Sequence, residues 1–143
     1  MEITLEIQNA EKIQRAAEKI ANEIAHSGKL VARAAMVLER QIKINASGRP
    51  GPRVQSGRLR ASIVPEVISP VLARVSTNVY YASFVEFGHR QHPGQFVPPL
   101  RKRLVASSAP AYPFFQSAID QTRGQIHGVL VEFGNELGAE WIR

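Results

Sequence analysis

The residues from Ala10 to Ile44 carry the pattern that most constrains how this 143-residue chain can fold. Apolar side chains recur there at spacings of three, four and seven residues, which is the periodicity of an amphipathic helix. They are Ile13, Ala17, Ile20, Ile24, Val31, Ala35, Leu38 and Ile42. The sequence predicts one long helix capped by Asn9, or two helices broken near Gly28. The apolar stripe fits packing on the chain's own core and packing against another subunit equally well.

Short β patterns surround this helical stretch. Residues 3–7 alternate apolar and polar side chains, which predicts an opening strand. Residues 63–68 and 71–79 predict two antiparallel strands joined at Ser69-Pro70. Because Pro65 has no N–H to donate, we expect the first of these two strands at a sheet edge.

A second helix is predicted to close the chain, with Pro113 in its first turn. Four glycines interrupt its apolar side, and they predict either a break in the helix or close packing against it. They are Gly124, Gly128, Gly134 and Gly138. We therefore expect a single α+β domain over residues 1–143, in which a small antiparallel sheet packs against a long N-terminal helix and a C-terminal helix.

Two segments rich in proline and glycine are basic and contain no acid. The segments near 45–56 and 88–112 predict flexible loops, the second too irregular for regular structure. The net charge of +6 is concentrated around them. Clustered cations favour a polyanion or an acidic protein surface as partner, although a solvated surface gives the same pattern. The candidate residues for contact with DNA or a partner are Arg49, Arg53, Arg101, Lys102 and Arg103.

The composition gives no support to catalysis, metal binding or membrane insertion. The chain has no cysteine, and its four histidines lack a recognisable nucleophile beside them. Asp120 is the only aspartate, so a carboxylate cluster of the two-metal type is not expected. No apolar run is long enough to span a bilayer, and the first residues do not resemble a signal peptide. We expect no enzyme activity and no cofactor.

Glu86 is the acid with the most unusual surroundings, because it lies inside the apolar block of residues 81–88. A buried carboxylate is usually paired with a cation. We expect a structural ion pair between Glu86 and either Arg58 or Arg60, which lie in the earlier block of residues 56–63.

Three blocks in order, residues 56–63, 81–88 and 113–118, resemble the tail-component family of long-tailed bacteriophages. The first reads Ser-Gly-Arg-Leu-Arg-Ala-Ser-Ile, the second Tyr-Ala-Ser-Phe-Val-Glu-Phe-Gly, and the third opens the last helix with Pro-Phe. The family motifs place seven residues in a predicted core, with the aromatic ones favoured as core over interface. They are Leu59, Ile63, Tyr81, Phe84, Phe87, Gly88 and Phe114.

The resemblance implies a structural subunit of the phage neck or tail, assembled in the bacterial cytoplasm and carried in the virion. Its implied task is to complete the tail and join it to the head, as a homo-oligomeric ring or on a ring around the DNA channel. Its implied partners are other copies of itself, the tail terminator or tail tube, the head connector and, without sequence preference, DNA. Two alternatives remain: a free nucleic-acid-binding protein that uses the basic loops, and a small hydrolase.

Overall fold

The computed structural model describes residues 10–54 and 56–142 of the chain. The strand expected at residues 3–7 lies outside this range. The described part is mixed α+β, with two N-terminal helices, small antiparallel sheets and a long C-terminal helix, as the sequence predicts.

The N-terminal stretch forms two helices, α1 (Ala10–His26) and α2 (Gly28–Asn45), so of the two alternatives left open by the sequence, the one with a break near Gly28 is correct. At Ser27 the backbone N–H bonds to the carbonyl of Ile24, three residues back instead of four, at 3.1 Å. The Ser27 hydroxyl also lies 2.6 Å from the carbonyl oxygen of Pro70. The helices therefore divide at the point where the chain touches the turn of the first hairpin.

The first hairpin pairs β1 (Val64–Ser69) with β2 (Leu72–Ser76) in antiparallel register, with Pro65 opposite Val75. Both strands contact α2, and the hairpin has no third strand within the described residues, so both of its strands are edges as expected for Pro65. The second strand ends earlier than predicted. Beyond it, Val79 is buried in the core, and the Thr77 hydroxyl lies 2.6 Å from the Ser62 hydroxyl.

Two short helices, α3 (Arg58–Ala61) and α4 (Ala82–Phe87), lie on either side of this hairpin in the sequence. Gly88 follows α4 with φ of 72°. A Cβ on Gly88 would lie 2.7 Å from the carbonyl oxygen of Ala109, so both its backbone angle and its close packing require glycine.

The segment after Gly88 is a paired β structure rather than the irregular loop that its composition predicts. Strand β3 (His89–Arg90) pairs with β6 (Ser108–Ala109), and β4 (Phe96–Val97) pairs with β5 (Lys102–Arg103) around the 3₁₀ turn Pro98–Leu100. The Gln91 N–H donates to the carbonyl of Ser107 at 2.8 Å between the two ladders. We call residues 89–109 the β-arm. Its strands are only two residues long, which is why side-chain alternation did not reveal them.

The closing helix α5 (Phe115–Ile142) is continuous through its four glycines. A Cβ added at Gly124, Gly128, Gly134 or Gly138 would meet nothing within 4 Å. A break is therefore the wrong explanation, and close packing at those positions finds no partner among the described residues.

The core lies where α2, α3, α4 and the start of α5 meet. Three large side chains are fully buried in it, namely Phe114, Ile42 and Ile63. Smaller or less completely buried apolar residues complete the cluster: Ala46, Leu59, Val79, Ala82 and Ala118. The core therefore joins all three sequence blocks, with Leu59 and Ile63 from the first, Ala82 from the second and Phe114 from the third.

Candidate assembly surface

The Glu86 carboxylate is buried at the start of α5, where it accepts three hydrogen bonds from backbone amides. The N–H groups of Phe114 and Phe115 donate to Oε2, and that of Gln116 donates to Oε1, each at 2.9 Å. The first amides of a helix have no partner within the helix and carry partial positive charge. Glu86 satisfies three of them at once, so it ties α4 to the N-terminus of α5.

This arrangement replaces the expected ion pair with Arg58 or Arg60. Glu86 is only 7% exposed, as predicted, but the partial charge of the helix terminus and three amide hydrogens stabilise its carboxylate instead of a guanidinium. Arg58 and Arg60 are both exposed, and Arg60 donates from Nη1 to the Ser47 hydroxyl at 3.3 Å. The sequence reasoning identified the buried acid and assigned it the wrong partner.

A buried amide reinforces the same junction from the other side. Asn45, at the end of α2, donates from Nδ2 to the Phe114 carbonyl at 3.3 Å and to the Gln121 side-chain oxygen at 3.1 Å. Gly51 packs against this residue, and a Cβ there would lie 2.1 Å from the Asn45 carbonyl oxygen. The segment near 45–56 is therefore anchored on the core at Gly51, although sequence composition alone predicts a flexible loop.

The aromatic residues of α4 do not lie in the core, contrary to the expectation for Phe84 and Phe87. Ala82, Val85 and Glu86 follow the helical spacing of three and four residues and face inward. Phe84 and Phe87 consequently lie on the opposite side, where they are 49% and 79% exposed. Tyr81 is half-buried against the core, and the neighbouring Tyr80 is exposed. We call Tyr80, Phe84 and Phe87 the outer aromatic face.

The two basic segments border one groove of about 470 Å³. Arg53 lines it from the first segment, and Leu100 and Leu104 line it from the β-arm. Leu100 and Leu104 flank Arg101, Lys102 and Arg103 in the sequence. All five predicted contact residues are exposed, including Arg49. The fold thus brings both basic segments to one side of the molecule, although Arg53 alone of the five lines the groove.

Further exposed apolar side chains lie on the first hairpin and on α1. Val64, Ile68 and Leu72 are each about half exposed on β1 and β2, and Val71 at the turn is more exposed. On α1, Ile13 and Ile24 are also exposed although they belong to its apolar stripe. Each of these residues stays at least 40% exposed within the described part of the chain.

No group of three or more His, Asp or Glu side chains within residues 10–54 and 56–142 is placed to hold a metal ion. His89 contacts the Phe84 ring, with ring centroids 5.3 Å apart, and is not part of a ligand cluster. None of the helices in the same ranges is both long and apolar enough to cross a membrane. The described residues form exposed apolar and basic surfaces, which are typical of a protein that acts through contacts with other molecules.

Comparison with known families agrees with this class of protein. Residues 5–88 match the family described as "Bacteriophage HK97-gp10, putative tail-component". The match covers more than half of the 143 residues, so the chain belongs to this family of bacteriophage tail components. A structural tail component has its place in the virion and needs no active site, which argues against catalysis. Comparisons with curated proteins and with solved structures gave no match.

Sequence reasoning missed the groove, because its lining comes from three parts of the chain. Val97, Leu100 and Leu104 in the β-arm are apolar residues within a segment that is otherwise basic and rich in proline. Apolar side chains at intervals in such a segment are the one signal that could have indicated it. The end of the family match at residue 88 places the β-arm outside the matched region.

Proposed function

We propose that this protein completes the phage tail and joins it to the head, acting as copies arranged in a ring, or docked on a ring, around the DNA channel. The observation that carries the proposal is the imbalance between its core and its apolar surface. Three large apolar side chains are fully buried, whereas 20 among the described residues are exposed. In soluble monomers, large exposed apolar patches mark interaction sites, so this pattern favours a subunit whose faces are covered by neighbours.

The charge distribution supports a position next to DNA. Arg49, Arg53, Arg101, Lys102 and Arg103 are exposed, and no acid lies near them in the sequence. Exposed cations without acids attract phosphate groups irrespective of base sequence, which is what a channel crossed by the genome requires. The family membership supports a structural role in the tail, and these two surface properties support the more specific assignment to its junction with the head.

Joining can be tested directly with particles that lack the protein. Tails and DNA-filled heads made without it are mixed with the purified protein at physiological salt and imaged by electron microscopy. We expect joined particles with additional density at the neck. The substitution Phe87→Asp should reduce joining at least tenfold. It places a charge on the outer aromatic face, which under this proposal is buried against a neighbour in the assembled particle, and burying an unpaired charge is costly.

The matched control is Asn78→Asp, which adds the same charge at an exposed polar position. Both variants should melt within a few degrees of the unchanged protein, since neither residue is buried. Absence of joined particles with the unchanged protein would refute the proposal. If the Phe87→Asp variant joined heads and tails fully, the outer aromatic face would not be one of the contact surfaces used in joining.

The second candidate, a free nucleic-acid-binding protein, is favoured only by the exposed basic residues. It requires that the isolated protein binds duplex DNA strongly and that the affinity falls steeply as salt rises. Titration of labelled DNA at two salt concentrations separates the two candidates. Tight binding without any joining activity would make the second candidate the correct one.

A further inference from the structure

The groove bordered by the basic segments combines an apolar lining with a positively charged rim. Its apolar residues include Val54, Val85, Val97 and Leu104, which come from the first basic segment, from α4 and from the β-arm. Arg53 and Arg60 supply the charge. No carboxylate from the described residues lines the groove, and the nearby Glu86 carboxylate is occupied by three backbone amides. Its volume of about 470 Å³ falls within the range of roughly 300–1,000 Å³ that is usual for binding clefts.

The groove is held open by contacts that do not involve a ligand. Gly51 anchors the segment that carries Arg53 against Asn45, as described above. The rings of Tyr80 and Tyr81, which both line the groove, pack edge to face with centroids 5.5 Å apart. On the β-arm, the Leu104 N–H donates to the Gln95 carbonyl at 2.8 Å. A site formed before its ligand arrives loses less conformational entropy on binding, so this groove is suited to capture a segment of another molecule.

The two kinds of lining restrict what that segment can be. Duplex DNA presents its phosphates on the outside and keeps its bases stacked in pairs, so it could meet the two arginines but would leave the apolar cleft unfilled. A neutral apolar peptide would fill the cleft but would make no use of the charge of Arg53 and Arg60. An acidic peptide with apolar side chains matches both features, because its carboxylates can meet Arg53 and Arg60 while its apolar side chains enter the cleft.

We infer that this groove binds an acidic peptide segment with apolar side chains, supplied by a neighbouring protein of the assembled particle. The inference rests on the proposed function for the source of the segment, but not for the chemistry of the groove. The contact would explain why the β-arm carries a leucine on each side of its basic residues 101–103. It would also give the two basic segments different tasks, with Arg53 on a protein partner and Arg101, Lys102 and Arg103 free to face DNA.

The test uses the full-length protein and a fluorescein-labelled 12-residue peptide of alternating leucine and glutamate, followed by fluorescence anisotropy. We expect saturable binding, and no binding of the same peptide with lysine in place of glutamate. The double substitution Arg53→Glu with Arg60→Glu should weaken binding at least tenfold. The matched control, Arg33→Glu with Arg90→Glu, changes the net charge equally at exposed positions that do not line the groove and should change binding less than twofold.

Circular dichroism melting verifies that each variant is folded, and Arg53→Gln with Arg60→Gln replaces the charge reversal if that variant unfolds. Equal weakening by groove and control variants would overturn the inference, since it would mean binding by net charge alone. Displacement of the peptide by duplex DNA would overturn it in favour of a nucleic-acid site. Sedimentation measures whether the groove variant still self-associates. If it does not, and if the unchanged oligomer fails to bind the peptide, the groove binds a second copy of this chain and the inference is overturned. If the protein joins heads and tails but does not bind the peptide, the proposed function stands and only the inference about the groove is refuted.

Discussion

Phe114 and Phe87 come from apolar blocks that look alike in the sequence, yet they occupy opposite environments. Phe114 is fully buried, whereas Phe87 is 79% exposed. Phe114 precedes α5, where Glu86 accepts its N–H and Asn45 donates to its carbonyl. Phe87 lies on the outer side of α4, whose inner side is committed to the core through Ala82 and Glu86. The difference shows that the helical face, and not hydrophobicity alone, decides which aromatic residues a chain buries.

The same contrast separates the roles of the two regions. The centre around Phe114 is closed by hydrogen bonds and packing from the chain itself, and Glu86, Asn45 and Gly51 all meet there. The side chains of the outer aromatic face and of the outside of the first hairpin stay about half exposed or more within the described residues. We therefore expect substitutions in the centre to change folding stability and substitutions on the outside to change assembly.

The largest effect is expected for Phe114→Ala, compared with Phe87→Ala. Removal of a fully buried phenylalanine loses its burial and leaves a cavity, which typically costs about 3–5 kcal/mol of unfolding free energy. The same truncation at Phe87 should change the unfolding free energy by less than about 0.5 kcal/mol, as for most surface positions. Urea denaturation of both variants measures the difference. Equal destabilisation would break the contrast between the two regions.

A smaller but still substantial effect is expected for Glu86→Gln. The amide keeps one acceptor oxygen but loses the negative charge at the start of α5, and its NH₂ group would face backbone donors. We expect a loss of about 2 kcal/mol, the scale of hydrogen bonds to charged groups. Arg58→Gln and Arg60→Gln are the matched controls, and each should cost less than about 0.5 kcal/mol. If an arginine substitution destabilised the protein as much as Glu86→Gln, an ion pair rather than the helix terminus would be holding the carboxylate.

The sequence was sufficient for the parts of the fold that depend on local periodicity. The stripe over residues 10–44 predicted the helical stretch, Gly28 marked the position at which it could divide, and the apolar run from 63 onward predicted the first hairpin. Burial of Glu86 also followed from its apolar neighbours. These features need only the spacing of side chains and the effect of glycine and proline on the backbone.

The remaining features depend on contacts between distant residues, which spacing does not reveal. The partner of Glu86 is the backbone near residue 115, and backbone amides carry no sequence signal. The β-arm is held by ladders of two residues each, too short for alternation to show. Phe84 and Phe87 could have been placed outside by their spacing from Ala82 and Glu86, had the block been read as a helix instead of a cluster.

The smallest change in stability is expected for a substitution in α5, which extends the comparison between the buried centre and the exposed surfaces to this helix. Gly128→Ala should stabilise the isolated subunit by about 0.5–1 kcal/mol, because alanine is the better helix former and the added Cβ meets nothing within 4 Å. Thermal unfolding of the purified subunit measures this gain. Destabilisation would mean that this part of the helix is packed more tightly than the described contacts indicate.

The same variant then tests whether the helix surface is used in the particle. If a neighbouring subunit packs closely against Gly128, Gly128→Ala should reduce joining of heads and tails while it stabilises the free subunit, because the methyl group would occupy space that the neighbour needs. Gln125→Ala, at an exposed position of the same helix, should leave joining unchanged. A gain in stability with full joining would show that no neighbour packs closely on this stretch of α5 in the assembled particle. The interface would then have to be sought on the outer aromatic face and the first hairpin.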